Sequence, residues 1–221
     1  MSPYDRAMEA QGVASRTDVL ERLARGLASR AGSGRVLRLA IDGPDAAGKT
    51  TFARDLDDVL HRFLPDGAEV RRFSADNHMI PIQVRRSDVA TDSRWLYDNF
   101  LDLKRIREIA RGVPEVSPPG SVVIIEGMTL QRPELADLWD VTIYMSVPAE
   151  VTIERARTRY AALIDAAEEP DEVDDMERRY RERYVPAYRI YVQDIAPHER
   201  ADILVDMTDF DAPRVERWNG F

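Results

Sequence analysis

The chain has 221 residues and a formal net charge of −9, with 44% hydrophobic and 32% charged residues. This composition excludes an intrinsically disordered chain, and the length suits a single α/β domain. The negative charge disfavours nucleic acid as a partner, because its phosphates would be repelled overall. The absence of cysteine excludes disulfides and thiolate metal sites, as is usual in a reducing cytoplasm.

The N-terminal segment carries no pattern typical of secretion or membrane insertion. Asp5, Arg6 and Glu9 stand where a signal peptide would need an apolar run, and no later run approaches the roughly 18 apolar residues of a membrane span. We therefore expect a cytoplasmic protein with no membrane partner. Residues 1 to 16 are expected to be poorly ordered, and Thr17 is a suitable N-cap for the helix that follows.

Strands and helices alternate along the rest of the chain. Short apolar runs predict five strands, at 36–41, 68–74, 121–126, 141–147 and 201–205. Helical patterns lie between them, including one from Lys49 to Leu64 and one from Asp171 to Ala187. This alternation predicts an α/β fold with a mostly parallel five-stranded sheet and helices on both faces. Ligands are then expected at the carboxyl ends of the strands.

A glycine-rich loop joins the first predicted strand to the next helix. It satisfies G-x4-G-K-T, the phosphate-binding motif of P-loop proteins. Its backbone amides can turn toward phosphates, Lys49 can reach the β and γ phosphates, and the Thr50 hydroxyl can bind Mg²⁺. The residues expected to hold the nucleotide are Gly43, Asp45, Ala46, Ala47, Gly48, Lys49, Thr50 and Thr51. The cofactors expected are ATP and Mg²⁺.

Two acidic residues at strand ends are candidates for chemistry. Asp76 follows the second predicted strand and could accept a proton from a substrate hydroxyl, although an aspartate in a turn or cap explains it equally well. Glu126 ends the third strand, where a second acidic group could assist the metal or its water. Both should stand at the sheet edge that carries the phosphate loop.

Other candidates have a structural interpretation of equal weight. Arg155 and Arg159 lie four residues apart on a predicted helix and could close over the nucleotide, or they could simply be solvent-exposed. Trp95, Tyr97 and Phe100 could form part of a substrate pocket, or belong to the core. His78 lies close to Asp76 in sequence, and the chain's histidines form no metal-ligand pattern.

Several segments, in the same order along the chain, resemble the uridine kinase and phosphoribulokinase group of P-loop kinases, most closely its uridine kinase-like members. The likeness covers residues 36 to 213. Besides the phosphate loop, the matching segments are Asp76 to His78, Trp95 to Phe100, Ile124 to Gly127, Arg132 to Leu135, Arg155 to Arg159, Arg179 to Tyr188 and Ala201 to Asp206.

The resemblance implies roles for individual residues. Asp76 would activate the substrate hydroxyl, Asp98 would hold ribose hydroxyls, and Arg155 with Arg159 would belong to a mobile lid at 153–185. Tyr97, Trp95 and His78 are the further substrate-binding candidates. The resemblance also implies a kinase domain at 35–215, preceded by an extension and helix at 1–34.

Two departures from the family pattern bear on the substrate. Glu126 stands where many members have aspartate, and residues 93–97 replace the family's histidine-containing nucleoside-binding segment. The expected function is transfer of the γ-phosphate of ATP to a hydroxyl of a small molecule, with uridine or cytidine as the first candidates. Because that segment is replaced, pantothenate, glycerate or a sugar stays open as the acceptor.

A nucleotide-switched binding protein is the alternative from another class. The chain lacks an N-K-x-D guanine-reading segment, which argues against a switch of the GTPase type, whereas Asp76 and the lid arginines argue for transfer. Whether the chain forms a homo-oligomer is left open by the sequence.

Overall fold

The computed structural model describes residues 15–32, 34–163 and 170–219. Most of the segment for which we expected poor order, residues 1 to 14, lies outside the described residues. No helix of the described ranges is long and apolar enough to cross a membrane.

The first helix, α1 (Arg16–Ala31), begins two residues earlier than predicted. Its N-cap is Ser15, so the prediction of Thr17 as the cap is wrong. The Ser15 hydroxyl accepts a hydrogen bond from the Asp18 amide at 3.2 Å, and the Asp18 carboxylate accepts one from the Ser15 amide at 3.0 Å. This reciprocal capping box needs an acidic or amide side chain three residues after the cap. Asp18 meets that requirement for Ser15, whereas Leu20 cannot meet it for Thr17.

Six strands within the described residues form one sheet in the order β2-β3-β1-β4-β5-β6. They are β1 (Leu37–Asp42), β2 (Val70–Ser74), β3 (Val122–Gly127), β4 (Val141–Ser146), β5 (Ile203–Asp206) and β6 (Arg214–Trp218). The first five are parallel, and β6 pairs antiparallel with β5. The mostly parallel α/β fold is confirmed. Strand β6 was not predicted, because charged residues interrupt its apolar pattern at the edge of the sheet.

Helices cover both faces of this sheet. After α1 come α2 (Lys49–Leu60), α3 (Ile82–Arg86), α4 (Ser93–Asn99), α5 (Leu103–Glu115), α6 (Ala149–Ala161), α7 (Pro170–Arg179), α8 (Val185–Ile195) and α9 (Pro197–Arg200). A π-helical turn, Tyr180–Tyr184, joins α7 to α8, so the predicted helix 171–187 is the first part of a longer helical segment. A short 3₁₀ turn, Ala75–His78, follows β2.

The sheet separates two main hydrophobic cores. On one face, Leu23 of α1 and Phe52 of α2 pack with Leu39 of β1. On the other face, Ile106 of α5 and Tyr191 of α8 are among the residues packed around β1 and β3. Because β1 and β3 are buried on both faces, they read as continuous apolar runs in the sequence. The carboxyl ends of these central strands are therefore held on a rigid platform, and the candidate site stands there.

Candidate active site

The phosphate loop connects β1 to α2 in a conformation that explains its glycines. Gly48 has φ +89°, and a Cβ on it would lie 2.5 Å from the ring of Phe210. A Cβ on Gly43 would lie 2.7 Å from the carbonyl oxygen of Met145 in β4. Other residues at these two positions would collide with their neighbours. The loop is thus packed tightly against β4 and the Phe210 segment.

Lys49 and Thr50 open α2 directly after the loop. Lys49 is only 4% exposed, and its Nζ donates a hydrogen bond to the carbonyl oxygen of Pro44 at 2.7 Å, so the ammonium group is held within the loop. The Thr50 hydroxyl donates to Oε1 of Glu126 at 3.0 Å, while Oε2 of Glu126 is buried with no hydrogen-bond partner among the described residues. Strand β3 and helix α2 therefore place a hydroxyl and a carboxylate side by side.

This pair fits a nucleotide-bound Mg²⁺ ion. Mg²⁺ prefers oxygen ligands, and with a nucleotide it needs only one or two protein carboxylates in addition to phosphate oxygens and water. The unpartnered Oε2 of Glu126 is an oxygen of the required kind. Groups of three or more metal-ligating His, Cys, Asp or Glu side chains were not found in the described ranges.

Asp76 lies in the 3₁₀ turn after β2, beside Glu126. The register of β2 against β3 pairs Ser74 with Glu126, which brings the two strand ends together. Gly127 permits the close approach, because a Cβ there would lie 2.6 Å from Cβ of Ala75 and 3.4 Å from Oδ1 of Asp76. That Oδ1 atom is buried and has no hydrogen-bond partner in the described part of the chain. A carboxylate so placed has a free acceptor position.

Burial sets the protonation behaviour of both carboxylates. It raises the pKa of Asp76 above its ordinary value, and the positive charge of Lys49 offsets part of that rise. Burial likewise raises the pKa of Glu126, again opposed in part by Lys49. The charge of Asp45 also raises the pKa of Asp76, and the charge of Asp76 raises that of Glu126, so Lys49 opposes a repulsion that runs through all three acids.

Helix α6 brings two of its three arginines, Arg155 and Arg159, beside the phosphate loop. Nη2 of Arg155 donates to the carbonyl oxygens of Met207 and Thr208, each at 3.0 Å. Nη2 of Arg159 lies 3.2 Å from Oδ2 of Asp45 in the loop. The remaining face of α6 is different, since Arg157 pairs with acidic residues of α7. The predicted shared face of Arg155 and Arg159 is therefore present.

Asp45 joins the phosphate loop to the helices that cover it. Its carboxylate accepts hydrogen bonds from Arg159 and from the hydroxyl of Tyr180 in the π-helical turn. Burial alone would raise the pKa of Asp45, but Arg159 and Lys49 outweigh burial and lower it. Asp45 is therefore ionised at neutral pH, and it holds α6 and the π-helical turn against the loop.

These residues line one cleft, which we call the phosphate cleft. Its lining consists of Asp45, Ala46, Gly48, Lys49, Thr50, Thr51, Asp76, Arg155, Arg159 and Phe210. The structure thus brings together the loop, Asp76 and both lid arginines, with Glu126 in contact through Thr50. Their chemical roles stay predictions.

A second space, which we call the aromatic cavity, adjoins the cleft at Asp45. It is lined by Asp45, Met79, Arg85, Leu96, Tyr97, Phe100, Met128, Thr129, Tyr180, Tyr184, Ala187 and Tyr188. Most of this lining is aromatic or apolar. Asp45 is the one described residue that lines both spaces.

The structure places the predicted substrate residues in different surroundings, and only some of them line a space. Tyr97 and Phe100 line the aromatic cavity, whereas Trp95 of α4 packs against the core and His78 is half-buried in the 3₁₀ turn. Asp98 is exposed, and its Oδ2 lies 3.4 Å from Nε of Arg94. In this conformation neither space includes Trp95, His78 or Asp98 in its lining, so their substrate roles stay predictions without geometric support.

Sequence reasoning missed a buried polar network below the loop. Asp42, at the end of β1, is fully buried. It accepts hydrogen bonds from the Gly43 amide at 2.8 Å, from Nε2 of Gln131 at 3.2 Å and from the hydroxyl of Tyr191. Burial raises the pKa of Asp42, and the hydrogen bonds from Tyr191 and Gln131 oppose the rise. The sequence did carry one sign of this network, since a charged residue ends an otherwise apolar strand.

Other missed residues come from segments distant in sequence. Phe210 follows β5, and Thr129 follows β3. No local pattern singles out either one, because their importance arises from what the fold places next to them. Tyr180 lies within the Arg179 to Tyr188 segment of the family resemblance, but its contact with Asp45 has no signature in sequence.

Comparison with solved structures identifies the fold. No family profile matches the chain, and no curated protein is significantly similar to it in sequence. A possible uridine kinase from Bacillus stearothermophilus matches with a TM-score of 0.63 and 21% identity, over 85% of this chain and 97% of that one. The chain has the fold of the P-loop kinases. A proposed fructose transport system kinase from Silicibacter sp. TM1040 has this fold too, with a TM-score of 0.60, 17% identity, and coverage of 79% and 94%.

Within the P-loop kinase fold, the resemblance seen in the sequence and the structural likeness agree. Both include uridine kinase-like proteins among the relatives. At identities of 21% and 17% the likeness concerns the fold, and the acceptor has to be argued from the cavity itself.

Proposed function

We propose that this chain is an ATP-dependent kinase that transfers the γ-phosphate to a hydroxyl of a small molecule bound in the aromatic cavity. The observation that carries the proposal is the position of Asp76. A buried carboxylate with a free oxygen lies in the same cleft as the phosphate loop and Lys49. A nucleotide-binding protein without an acceptor has no use for such a base.

The proposed reaction begins with nucleotide binding. The loop amides and Lys49 would bind the phosphates, and Thr50 with Glu126 would hold Mg²⁺. Bound Mg²⁺ would neutralise charge on the phosphate oxygens. Arg155 and Arg159 would add positive charge from α6, provided that phosphate displaces the Arg159 contact with Asp45.

Asp76 would then orient and deprotonate the acceptor. The hydroxyl proton passes to the carboxylate, a bond forms between the hydroxyl oxygen and the γ-phosphorus, and the bond from that phosphorus to the β–γ bridging oxygen breaks to release ADP. Because burial raises the pKa of Asp76, the carboxylate is a stronger base than an exposed aspartate.

The wall of the aromatic cavity favours a flat, ring-bearing acceptor. Five of the lining side chains named above are aromatic, and polar groups are few: Asp45, Arg85 and Thr129 besides the tyrosine hydroxyls. A sugar or glycerate would leave most of its hydroxyls unpaired against such a wall, which is costly. A nucleoside, uridine or cytidine, is therefore the proposed acceptor, and a sugar or small acid is the alternative.

The remaining expectations form part of this proposal. The domain is proposed to span 35–215, with α6, α7 and the π-helical turn as a lid between 153 and 185. The proposed location is the cytoplasm, and the proposed partner is the small-molecule acceptor rather than nucleic acid or membrane.

A screen of ADP release tests the proposal. The chain is supplied with Mg²⁺ and ATP, and nucleosides, sugars and small acids are compared with an acceptor-free control. We expect ADP release above the control with a nucleoside, and none with Lys49→Ala. ATP binding without acceptor-dependent release in any reaction would favour the binding-protein alternative.

A further inference from the structure

Thr129 combines two unfavourable features at one position. The residue is 1% exposed, and its hydroxyl is buried without a hydrogen-bond partner in the described ranges. A buried hydroxyl without a partner is destabilising, because it has lost its hydrogen bonds to water. Its φ of +59° lies in the left-handed region, which β-branched residues rarely adopt. Strain of this kind persists where the surrounding structure imposes it and is concentrated at binding sites.

The loop that carries Thr129 is fixed from both sides. The Gln131 amide donates to the hydroxyl of Tyr191 at 3.2 Å. The Arg132 guanidinium donates to the carbonyl oxygen of Tyr97 at 2.8 Å, and its Cζ lies 4.4 Å from the centre of the Tyr97 ring. These contacts hold the backbone after β3 in place, so Thr129 is kept in its strained conformation and its position in the cavity wall is preorganised.

Thr129 lines the aromatic cavity, where Asp45 and Nε of Arg85 already have partners within the protein. Asp45 binds Arg159 and Tyr180, and Nε of Arg85 donates to the carbonyl oxygen of Ile80 at 3.1 Å. The Thr129 hydroxyl can both donate and accept a hydrogen bond. A ligand in the cavity would therefore find in Thr129 a buried, preorganised hydrogen-bonding group in a mostly apolar wall.

The segment that carries Thr129 passes beside the proposed general base. A Cβ on Gly127, two residues before Thr129, would lie 3.4 Å from Oδ1 of Asp76, and the residue between them, Met128, lines the aromatic cavity with Thr129. An acceptor whose reacting hydroxyl meets Asp76 would thus extend past Met128 toward Thr129. The group in contact with Thr129 would be a second polar substituent of the acceptor, near the reacting hydroxyl.

We propose that Thr129 is a specificity-determining residue, whose hydroxyl hydrogen-bonds a second polar substituent of a flat-ring acceptor bound in the aromatic cavity. This inference rests on the proposed function, because its main test measures turnover of the acceptor. It selects acceptors with two hydrogen-bonding groups close together over acceptors with a lone hydroxyl.

The test compares Thr129→Val with Thr129→Ser, using the best acceptor from the screen. Valine keeps the branched shape and removes the hydroxyl, whereas serine keeps the hydroxyl. We expect Thr129→Val to lose roughly 5-fold to 150-fold in kcat/KM for the acceptor, the range for a missing partner in a polar contact. Thr129→Ser should stay within about 3-fold of the parent, and KM for ATP should be unchanged in both.

Melting temperatures separate this role from a structural one. Thr129→Val should not lower the melting temperature, because its hydroxyl forms no hydrogen bond within the described part of the molecule. Thr152→Val is the matched control: Thr152 is also buried, but its hydroxyl donates to the carbonyl oxygen of Ala149 at 2.7 Å. That control should lower the melting temperature. An unchanged kcat/KM in Thr129→Val, or a lowered melting temperature, would overturn the proposal.

A binding measurement distinguishes failure of this inference from failure of the proposed function. If the parent protein releases no ADP with any acceptor, calorimetric titration with uridine, 2′-deoxyuridine and cytidine is carried out on the parent and on Thr129→Val. Binding that weakens in the variant would retain Thr129 as a ligand contact while removing the kinase proposal. Binding that is absent, or equal in both proteins, would overturn the Thr129 proposal.

Discussion

The phosphate cleft and the aromatic cavity meet at Asp45 but are built in different ways. The cleft is organised around one continuous segment, residues 43–51, whose backbone would do most of the proposed phosphate binding. The cavity is assembled from side chains of α4, the loop after β3, the π-helical turn and α8. A function carried by the backbone of one segment leaves a motif in the sequence. A function carried by side chains from many segments leaves none.

The largest effect on turnover is expected in the phosphate cleft, from loss of the buried ammonium group of Lys49. Lys49→Ala should abolish turnover, because Lys49 supplies charge that the loop amides cannot. ADP release with the best acceptor measures this. Lys104→Ala is the control, since Lys104 is exposed on α5 away from both spaces. Full activity in a folded Lys49→Ala variant would remove the nucleotide site from the cleft.

Asp76→Asn should have the next largest effect. The amide keeps the shape and removes the proton acceptor, so kcat should fall at least about 10²-fold with little change in nucleotide affinity. Steady-state kinetics decide the outcome. A kcat within a few-fold of the parent would make Asp76 a turn residue only.

The same substitution should make the fold more stable at neutral pH. The pKa of Asp76 is raised in the folded state, so the folded protein holds this proton more tightly than the unfolded chain does. The resulting stabilisation is present at low pH and is lost as pH rises through the folded-state pKa. Asp76→Asn should therefore melt at a higher temperature than the parent at pH 7, and the difference should shrink toward pH 4. A variant that is less stable at pH 7 would contradict this assignment.

A moderate effect is expected from opening the aromatic cavity. Tyr184 forms part of its wall, with its ring centre 5.1 Å from that of Tyr180 in an edge-to-face contact. Tyr184→Ala should raise the KM for a flat-ring acceptor about 10-fold through lost ring contact, while the KM for ATP changes little. Equal changes in both KM values would mean that cleft and cavity are not separate in function.

The smallest effect is expected from Asp98. It is exposed and paired with Arg94, and such a surface pair contributes little to stability or to a distant site. Asp98→Ala should change the ratio of kcat/KM for uridine over 2′-deoxyuridine by less than about 3-fold. Loss of most of that preference would instead support the ribose-binding role that the family resemblance implies, and would require α4 to move toward the cavity.

The sequence predicted most of the fold and half of the candidate site, for identifiable reasons. Buried parallel strands read as apolar runs, and the loop from Gly43 to Thr51 is a local motif, so both were visible. Strand β6 was missed because its edge position allows charged residues such as Arg214 and Glu216. The contact of Tyr180 with Asp45 and the strained backbone of Thr129 depend on tertiary packing, which no local pattern encodes.

Asp45, the one residue among those described that lines both spaces, has a consequence for how such a protein could change its acceptor. Substitutions in the lining from Met79 to Phe100 or in α8 can change which molecule is bound without touching the residues that hold the nucleotide. If the proposed function holds, selection can exchange one acceptor for another by small steps while the phosphate-donor site stays intact. Asp45 is the exception: a change there alters loop, lid and cavity together, so it should be the position least free to vary when the acceptor changes.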